Sequence, residues 1–435
     1  MTGPAVHSGS ISSLGPLLSR EGRRDPNPFY AQLHRQGPVC VLTDPATRFD
    51  VVVHGYDAVH AALRDPALHV ITGEYRDQGG TRWREHLSLR VLADSMFLTE
   101  GERHTTARRR FAHAFSARRV AALEPAVDRI VARRLDRLAA AAELAERSSG
   151  TAAELAERSS GTAGAGGAPV DLLAEFALPI PSDVVGELLG VPEADRDWFP
   201  PRVRAFGAIL DLGAGVWRHQ KAADTAAAEL TAYFADLLAA RRADPRDDLV
   251  SALVTAEDDP ADDAELIANL LTTYNGGFVT TTHLVGNGAR LLLDDPAEKA
   301  RVLADPARLD DFLQEVLRYE PPVHFGTRFA AADTEIAGTP VPEGSRVLVL
   351  LGAANRDPSR FTDPDTFDPG RAEGPPLSFG AGVHYCLGAV LSKMEGRIAL
   401  PALLRRFPDL ALAGDPGERT TLMLRGYESL PVRVS

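Results

Sequence analysis

The sequence predicts a mostly α-helical fold with minor β-sheets, formed by residues 21–435 as a single domain behind a flexible N-terminal segment, residues 1–20. Three observations carry this expectation. From Glu102 onward most stretches repeat their apolar residues at helical spacing and are closed by Pro or Gly, as at Asp295-Pro296, Asp305-Pro306 and Glu320-Pro321-Pro322. Short β-like pieces recur at 327–336, at 346–350 and in the terminal SLPVRV, which points to a minor sheet built from distant segments. A hydrophobic content of 44% over 435 residues, with a quarter of all residues charged, leaves ample material for a sizeable core.

The opening MTGPAVHSGSISSLGPLLSR has no basic stretch followed by an apolar run, and nowhere do about 18 apolar residues run uninterrupted. Neither a secretion signal nor a membrane span is expected, and the expected location is the cytoplasm. PVCVLTDPATRFDVVVHGYDAVHAALRD reads as two short strands around a turn, Val39–Leu42 and Phe49–Val53, then a helix opening near Gly55. Cys40 sits inside the first strand and reads as a buried small hydrophobe. Residues 141–151, AAELAERSSGT, recur unchanged at 152–162 and are followed by AGAGGAP. Two copies are too few for a solenoid. Each pairs a helix-prone AAELAER with an SSGT terminator, so 141–168 reads as a duplicated surface loop between two helices, without chemistry.

A formal net charge of −13 argues against nonspecific binding to nucleic acid or to an anionic membrane, both of which need a cationic footprint. A small organic ligand and a monomeric chain are expected instead. The two cysteines, Cys40 and Cys386, lie far apart in unlike contexts, which excludes a disulfide framework and a multi-cysteine zinc site. Any cysteine chemistry is that of a single thiol.

The strongest signal is the run from Phe379 to Gly388, FGAGVHYCLG, followed by the helical AVLSKMEGRIALPALLRRF. A thiolate ligand to haem iron must be deprotonated, which calls for nearby positive charge, backbone N–H donors and a helix N-terminus. Glycines let backbone approach a porphyrin and the sulfur closely, and Cys386 precedes a helix whose first N–H groups can reach it. In this run the chain resembles the soluble bacterial class of the cytochrome P-450 family. The similarity extends to EGERHTTARRRFAHAFSARR, ELLGVPEADRDWF, RRADPRDDLVSALV, EVLRYEPPV and NRDPSRFTDPDTFDPGR. It implies one triangular, mostly helical haem-thiolate oxygenase domain, non-covalent haem b, and Cys386 as the axial iron ligand.

Other constellations take their meaning from the same resemblance. Glu315 and Arg318 are three apart, so on a helix they share a side and can pair; the family's Glu-x-x-Arg pair implies a structural role in fixing the loop that delivers Cys386, with Arg371 or a neighbour as third member. His104 and Arg108 stand one helical turn apart, suited to a carboxylate, and the resemblance implies that both hold a haem propionate, with Arg328 and His384 as further contacts. Arg109, Arg110, Arg118, Arg119, Lys393 and Arg397 would then form a basic patch near the thiolate face, suited to an acidic ferredoxin; solvated surface is the alternative for each singly.

AELIANLLTTYNGGFVTTTHLVGNGARLLLDD is a long helical pattern with Gly276 and Gly277 in its middle, each costing about 1 kcal/mol against Ala. The family's reason for that cost is a widened turn over the haem that admits dioxygen, followed by a threonine, here Thr280, whose hydroxyl serves the oxygen. Most members carry Asp or Glu just before this threonine. Here the residue is Val279, so either proton delivery is altered, through substrate hydroxyl and water or by a different reaction course, or water takes over and the change is neutral. Thr272, Asn275 and His324 are expected to bring polar groups to the substrate pocket, and Met96, Phe97, Leu424 and Tyr427 to wall it.

The expected function is a monooxygenase that oxidises a small to medium organic molecule, a bacterial secondary metabolite, with O2. Its electrons are expected from NAD(P)H through a ferredoxin-type partner, because the chain has no GxGxxG and too few cysteines for an iron–sulfur cluster. The alternative, motivated by Val279, is a haem-thiolate oxidation of another outcome: coupling, cyclisation, nitration or a peroxide-driven reaction. A haem sensor would use the same fold without turnover, but no regulatory or DNA-binding segment is visible.

Overall fold

The computed structural model describes all residues except 1–8, 12, 45–47, 80–81, 158–167, 213–215, 257–259, 418–420 and 435. Its centre is the helix Asp263–Asp294. Asp262 caps it by accepting from the Glu265 N–H, and Asp263 and Glu265 add negative charge to the first turn. Thirty-two residues give it a length of about 48 Å, enough to cross the molecule. Helices Pro179–Leu189, Gln220–Ala243, Arg308–Tyr319 and Ala389–Arg406 pack around it. Phe176, Phe199, Phe206, Phe234, Tyr274, Phe278 and Phe312 are fully buried in the core between them.

A six-stranded sheet closes one side, in the order Gly9–Ile11, Val39–Leu42, Val51–Val53, Arg346–Val349, Gly326–Ala330 and Leu68–His69. The pairing of Val51–Val53 with Arg346–Val349 is parallel, with Val51 opposite Val347. Next to it, Arg346–Val349 runs antiparallel to Gly326–Ala330, with Val347 opposite Arg328. Two smaller sheets involve Thr334–Ile336 with Thr339–Val341, and Ala411–Leu412 with Pro431–Arg433 and Val170–Asp171. Cys40 is fully buried in its strand, where burial pushes its thiol up to about 11.

Two expectations are corrected. The N-terminal segment is not loose from residue 9 on: Gly9–Ile11 pairs in parallel with Val39–Leu42, and Ile11, Leu14 and Leu17 are buried. Their apolar side chains give the segment a reason to dock. The first AAELAERSSGT copy is not a loop, because one helix runs from Ala117 to Glu157 through it and into the second copy. Ala, Leu, Glu and Arg favour helix strongly enough to carry it across Ser148-Ser149-Gly150-Thr151; residues 158–167 lie outside the described part.

Candidate active site

The Cys386 loop is built by two glycines in the left-handed region, Gly380 at φ +70° and Gly382 at φ +71°. They allow the chain to turn so that the Cys386 N–H donates to the Phe379 carbonyl at 2.9 Å and Gly380 N–H to Leu377 at 2.8 Å. The thiol faces an open cavity just ahead of the helix Ala389–Arg406. Burial raises its pKa, while the Gly388 N–H and the charge of Arg108 act the other way.

The loop is anchored from behind. Arg318 and Glu315 are both buried and joined by two bonds of 2.7 Å, Nε to Oε2 and Nη2 to Oε1. Arg318 also donates to the carbonyls of Asn355, Pro364 and Thr366. Arg371 approaches Glu315 at 3.5 Å, and the Asp368 N–H donates to the same carboxylate at 2.9 Å. Asn355 then receives the Leu377 N–H at 2.7 Å and donates to Ser378 Oγ at 2.8 Å. The ion pair is thus tied, through Asn355, to the two residues that precede Phe379.

His104 and Arg108 stand on the helix Gly101–Ala112. The His104 ring is 4.2 Å from that of His384, and its Nε2 is buried without a partner. Burial, then His384 and Arg108, lower its pKa to about 4. Arg108 donates to the Tyr385 carbonyl at 2.5 Å. Arg328 is buried and donates to the carbonyl of its neighbour Thr327 at 2.9 Å; burial lowers its pKa. His384 differs from its expected setting, since Glu100 holds its Nε2 at 3.1 Å while also accepting the Val70 N–H. No residue-level signal marked Glu100 in the sequence.

A cavity of about 930 Å³ opens between Cys386 and the central helix, where Thr272, Gly276, Gly277 and Thr280 line it. A Cβ on Gly276 would meet nothing within 4 Å, whereas one on Gly277 would come within 2.6 Å of Val185 Cγ2. Gly276 therefore leaves room in the cavity, and Gly277 lets the helix Pro179–Leu189 pack closely. Thr280 Oγ1 donates to the Gly276 carbonyl at 2.5 Å, and Thr272 Oγ1 to Ala268 at 2.8 Å. Val279 packs against the core.

Met96 and Phe97 line the same cavity, with Ile209, Val323, Phe325 and Met423. Four pocket expectations are corrected. Asn275 turns toward the helix Phe199–Gly207, where a Cβ on Gly207 would lie 2.8 Å from its Oδ1. His324 is buried with its Nδ1 3.0 Å from the Tyr30 hydroxyl. Tyr427 packs against the core, and Met423 takes the wall position expected of Leu424 and Tyr427. The side a helical or loop residue faces depends on its neighbours, which periodicity alone does not reveal. Half of the expected basic patch is paired: Arg110 with Glu265, Arg119 with Asp247 and Arg397 with Asp310, while Lys393 sits 5.6 Å from the Phe379 ring.

A second cavity, of about 940 Å³, meets the first across Arg328, Phe379 and Gly380 and is lined by His104 and His384. The unpartnered His104 Nε2, the buried Arg328 and the nearby Arg108 fit the carboxylates of a flat macrocycle. The open space at Gly276, Gly380 and Gly388 fits its faces and edges. Haem b suits these residues. Among the described residues no helix is long and apolar enough to cross a membrane.

Residues 209–412 match the family model described as Cytochrome P450. The chain is 35% identical to cytochrome P450 monooxygenase PikC of Streptomyces venezuelae, over 97% of this chain and 94% of that one. It is 37% identical to 6-deoxyerythronolide B hydroxylase of Saccharopolyspora erythraea, over 93% and 95% respectively. Among solved structures it resembles the cytochrome P450 enzyme CxnD for C–S bond formation in chuangxinmycin biosynthesis, at a TM-score of 0.79 and 30% identity, covering 100% of this chain and 99% of that one.

Proposed function

The chain belongs to the cytochrome P450 family, and on that premise we propose that it is a haem-thiolate monooxygenase inserting oxygen into a mostly apolar secondary metabolite, with Cys386 as the iron ligand. Its haem, when bound, supplies the iron that activates dioxygen. The observation that carries this reading is that Cys386 lines the same cavity as Gly276 and Thr280 of the central helix.

His104, Arg108 and Arg328 hold the propionates, and the Gly388 N–H with Arg108 favours the thiolate of Cys386. Gly276 leaves space for dioxygen beside Thr280. Met96, Phe97, Ile209, Val323 and Phe325 orient the apolar body of the substrate and exclude water. Electrons come from NAD(P)H through a ferredoxin-type partner, which docks where Val383, Tyr385 and Val390 are exposed around the Cys386 loop, beside Lys393.

Cys386→Ser tests this directly. The wild-type protein, reduced and exposed to carbon monoxide, is expected to show the red-shifted band of thiolate-ligated haem, and the variant to lack it. Persistence of that band in Cys386→Ser would overturn the assignment. The valine at 279 supports a second reading, an oxidation of another outcome such as bond formation within the substrate; CxnD, similar in fold, is described as forming a C–S bond. Product analysis separates the two, since only monooxygenation places an atom of labelled O2 in the product.

A further inference from the structure

The cavity takes five apolar side chains from one stretch of chain: Leu89 and Leu92 on the helix Leu87–Asp94, and Met96, Phe97 and Leu98 in the turn after it. Both ends of that stretch are pinned by polar side chains from other helices.

At the first end, the helix Leu87–Asp94 has no side-chain cap of its own. Asp224, on the helix Gln220–Ala243, supplies one. Its Oδ1 accepts from the Ser88 N–H at 3.0 Å and from the Ser88 hydroxyl at 2.7 Å, and its Oδ2 lies 2.8 Å from His86 Nδ1. Gln220, which lines the cavity, donates to Ser88 Oγ at 2.8 Å and to Asp224 Oδ1 at 3.1 Å. A carboxylate placed there answers both the free N–H groups and the positive end of the helix.

At the other end, Asn269 of the central helix is 1% exposed. Its Oδ1 accepts the Met96 N–H at 2.8 Å, and its Nδ2 donates to the Glu265 carbonyl at 2.8 Å. A buried amide is costly unless both its ends are bonded, and here both are. Ser95, fully buried, closes the turn by donating to the Leu92 carbonyl at 2.8 Å and accepting the Phe97 N–H at 3.3 Å. Phe97 itself is 42% exposed, so the backbone bonds beside it, more than core packing, fix where it stands.

We propose that Asp224 and Asn269 are positioning residues for the substrate, holding residues 86–98 as a preformed apolar wall that favours a molecule with a bulky apolar body over a slim one. The inference rests on the reading of this cavity as the substrate site of a haem enzyme. Neither residue lines the cavity; each acts through the backbone that carries Leu89, Leu92, Met96 and Phe97. A wall already fixed before binding needs no ordering when a large ligand leans on it, and that saving appears as affinity. A ligand too small to touch the wall gains nothing from it.

The test uses haem-loaded wild type, Asp224→Ala, Asn269→Leu and Asn269→Ala, with imidazole and clotrimazole as probes. Both bind ferric haem iron through a ring nitrogen and are read from the absorbance shift they cause, but only clotrimazole carries a bulky triaryl body. Each variant is expected to weaken clotrimazole roughly tenfold and to leave imidazole within about twofold. Asn269→Ala, which adds no bulk, should match Asn269→Leu and so trace the loss to the missing acceptor. Asp224→Asn, which keeps an oxygen for Ser88, should recover most of the loss. In a Met96→Ala, Phe97→Ala background, Asn269→Leu should have little further effect, because the side chains it holds are gone. Unchanged clotrimazole binding in the Asp224 and Asn269 variants would overturn the proposal. An equal loss for both probes would do the same, marking the two residues as general supports of the fold, as would an undiminished effect of Asn269→Leu in the Met96→Ala, Phe97→Ala background. Failure of the underlying reading looks different, because wild type itself would then lack the carbon monoxide band.

Discussion

Arg318 meets Glu315 as a two-pronged fork, with both bonds at 2.7 Å and both residues shielded from water. Its remaining N–H groups reach carbonyls on the segment that leads to Cys386. Removing Arg318 leaves the buried Glu315 carboxylate with only the Asp368 N–H and the more distant Arg371, and takes the Arg318 bond from three carbonyls, of which Thr366 keeps one from Arg371. Arg318→Leu is expected to lose about 3–5 kcal/mol and most bound haem, measured by thermal unfolding and by haem per protein. Arg318→Lys should recover little, because an ammonium cannot reproduce the fork.

The two adjacent glycines of the central helix are expected to respond in opposite ways. Gly276→Ala adds a methyl into open space and gains up to about 1 kcal/mol of helix propensity, at the expense of cavity room. Gly277→Ala drives a methyl to 2.6 Å from Val185 Cγ2, on a β-branched side chain that yields poorly, and should lose about 1–3 kcal/mol. Val185→Ala in the Gly277→Ala background should recover part of it. Urea unfolding midpoints of the four proteins check this.

His54 is fully buried beside Cys40, with Nε2 3.5 Å from the sulfur, and burial followed by the charge of His34 lowers its pKa to about 3. Below the ordinary value of 6.5 the unfolded chain takes up a proton that the folded one refuses. Stability contributed by the neutral ring is therefore complete above pH 6.5 and falls as pH drops toward 3, by about 2 kcal/mol at pH 5. His104 acts in the same direction until a carboxylate engages its Nε2. His54→Gln should flatten the fall between pH 6.5 and 5, read from denaturant midpoints of the haem-loaded protein; an unchanged slope would exclude His54 as its source.

Deleting residues 141–151 is expected to leave haem content unchanged and stability within about 1 kcal/mol. Eleven residues make three helical turns with about 20° left over, so Ala153 takes the buried place of Ala142 on the same face. A clear drop in haem per protein or in unfolding temperature would show that the spacing itself matters.

Much of this arrangement was legible in the chain because it depends on local rules. FGAGVHYCLG needs glycines where the backbone turns left-handed, and Gly380 and Gly382 do so. The strands at Val39 and Val51 and the helix after Gly55 follow from β-branched runs and a break. What was not legible depends on partners from far away. Asn275 faces Gly207 because only a glycine there leaves it room, and His324 is claimed by Tyr30, 294 residues earlier. Glu395 lies four residues after Leu391 and four before Ala399, both buried, a spacing that puts a carboxyl on an apolar face.

The six-stranded sheet has a consequence for how the chain reaches this structure during synthesis. Val51–Val53 is joined to the rest of the sheet by Arg346–Val349, which leaves the ribosome nearly 300 residues later. At ordinary elongation rates that is a wait on the order of 15–60 s. Throughout it, the three earliest strands have a valine-rich edge with no partner, so the nascent chain depends on helices folding between them, or on a chaperone, to keep that edge from other nascent chains.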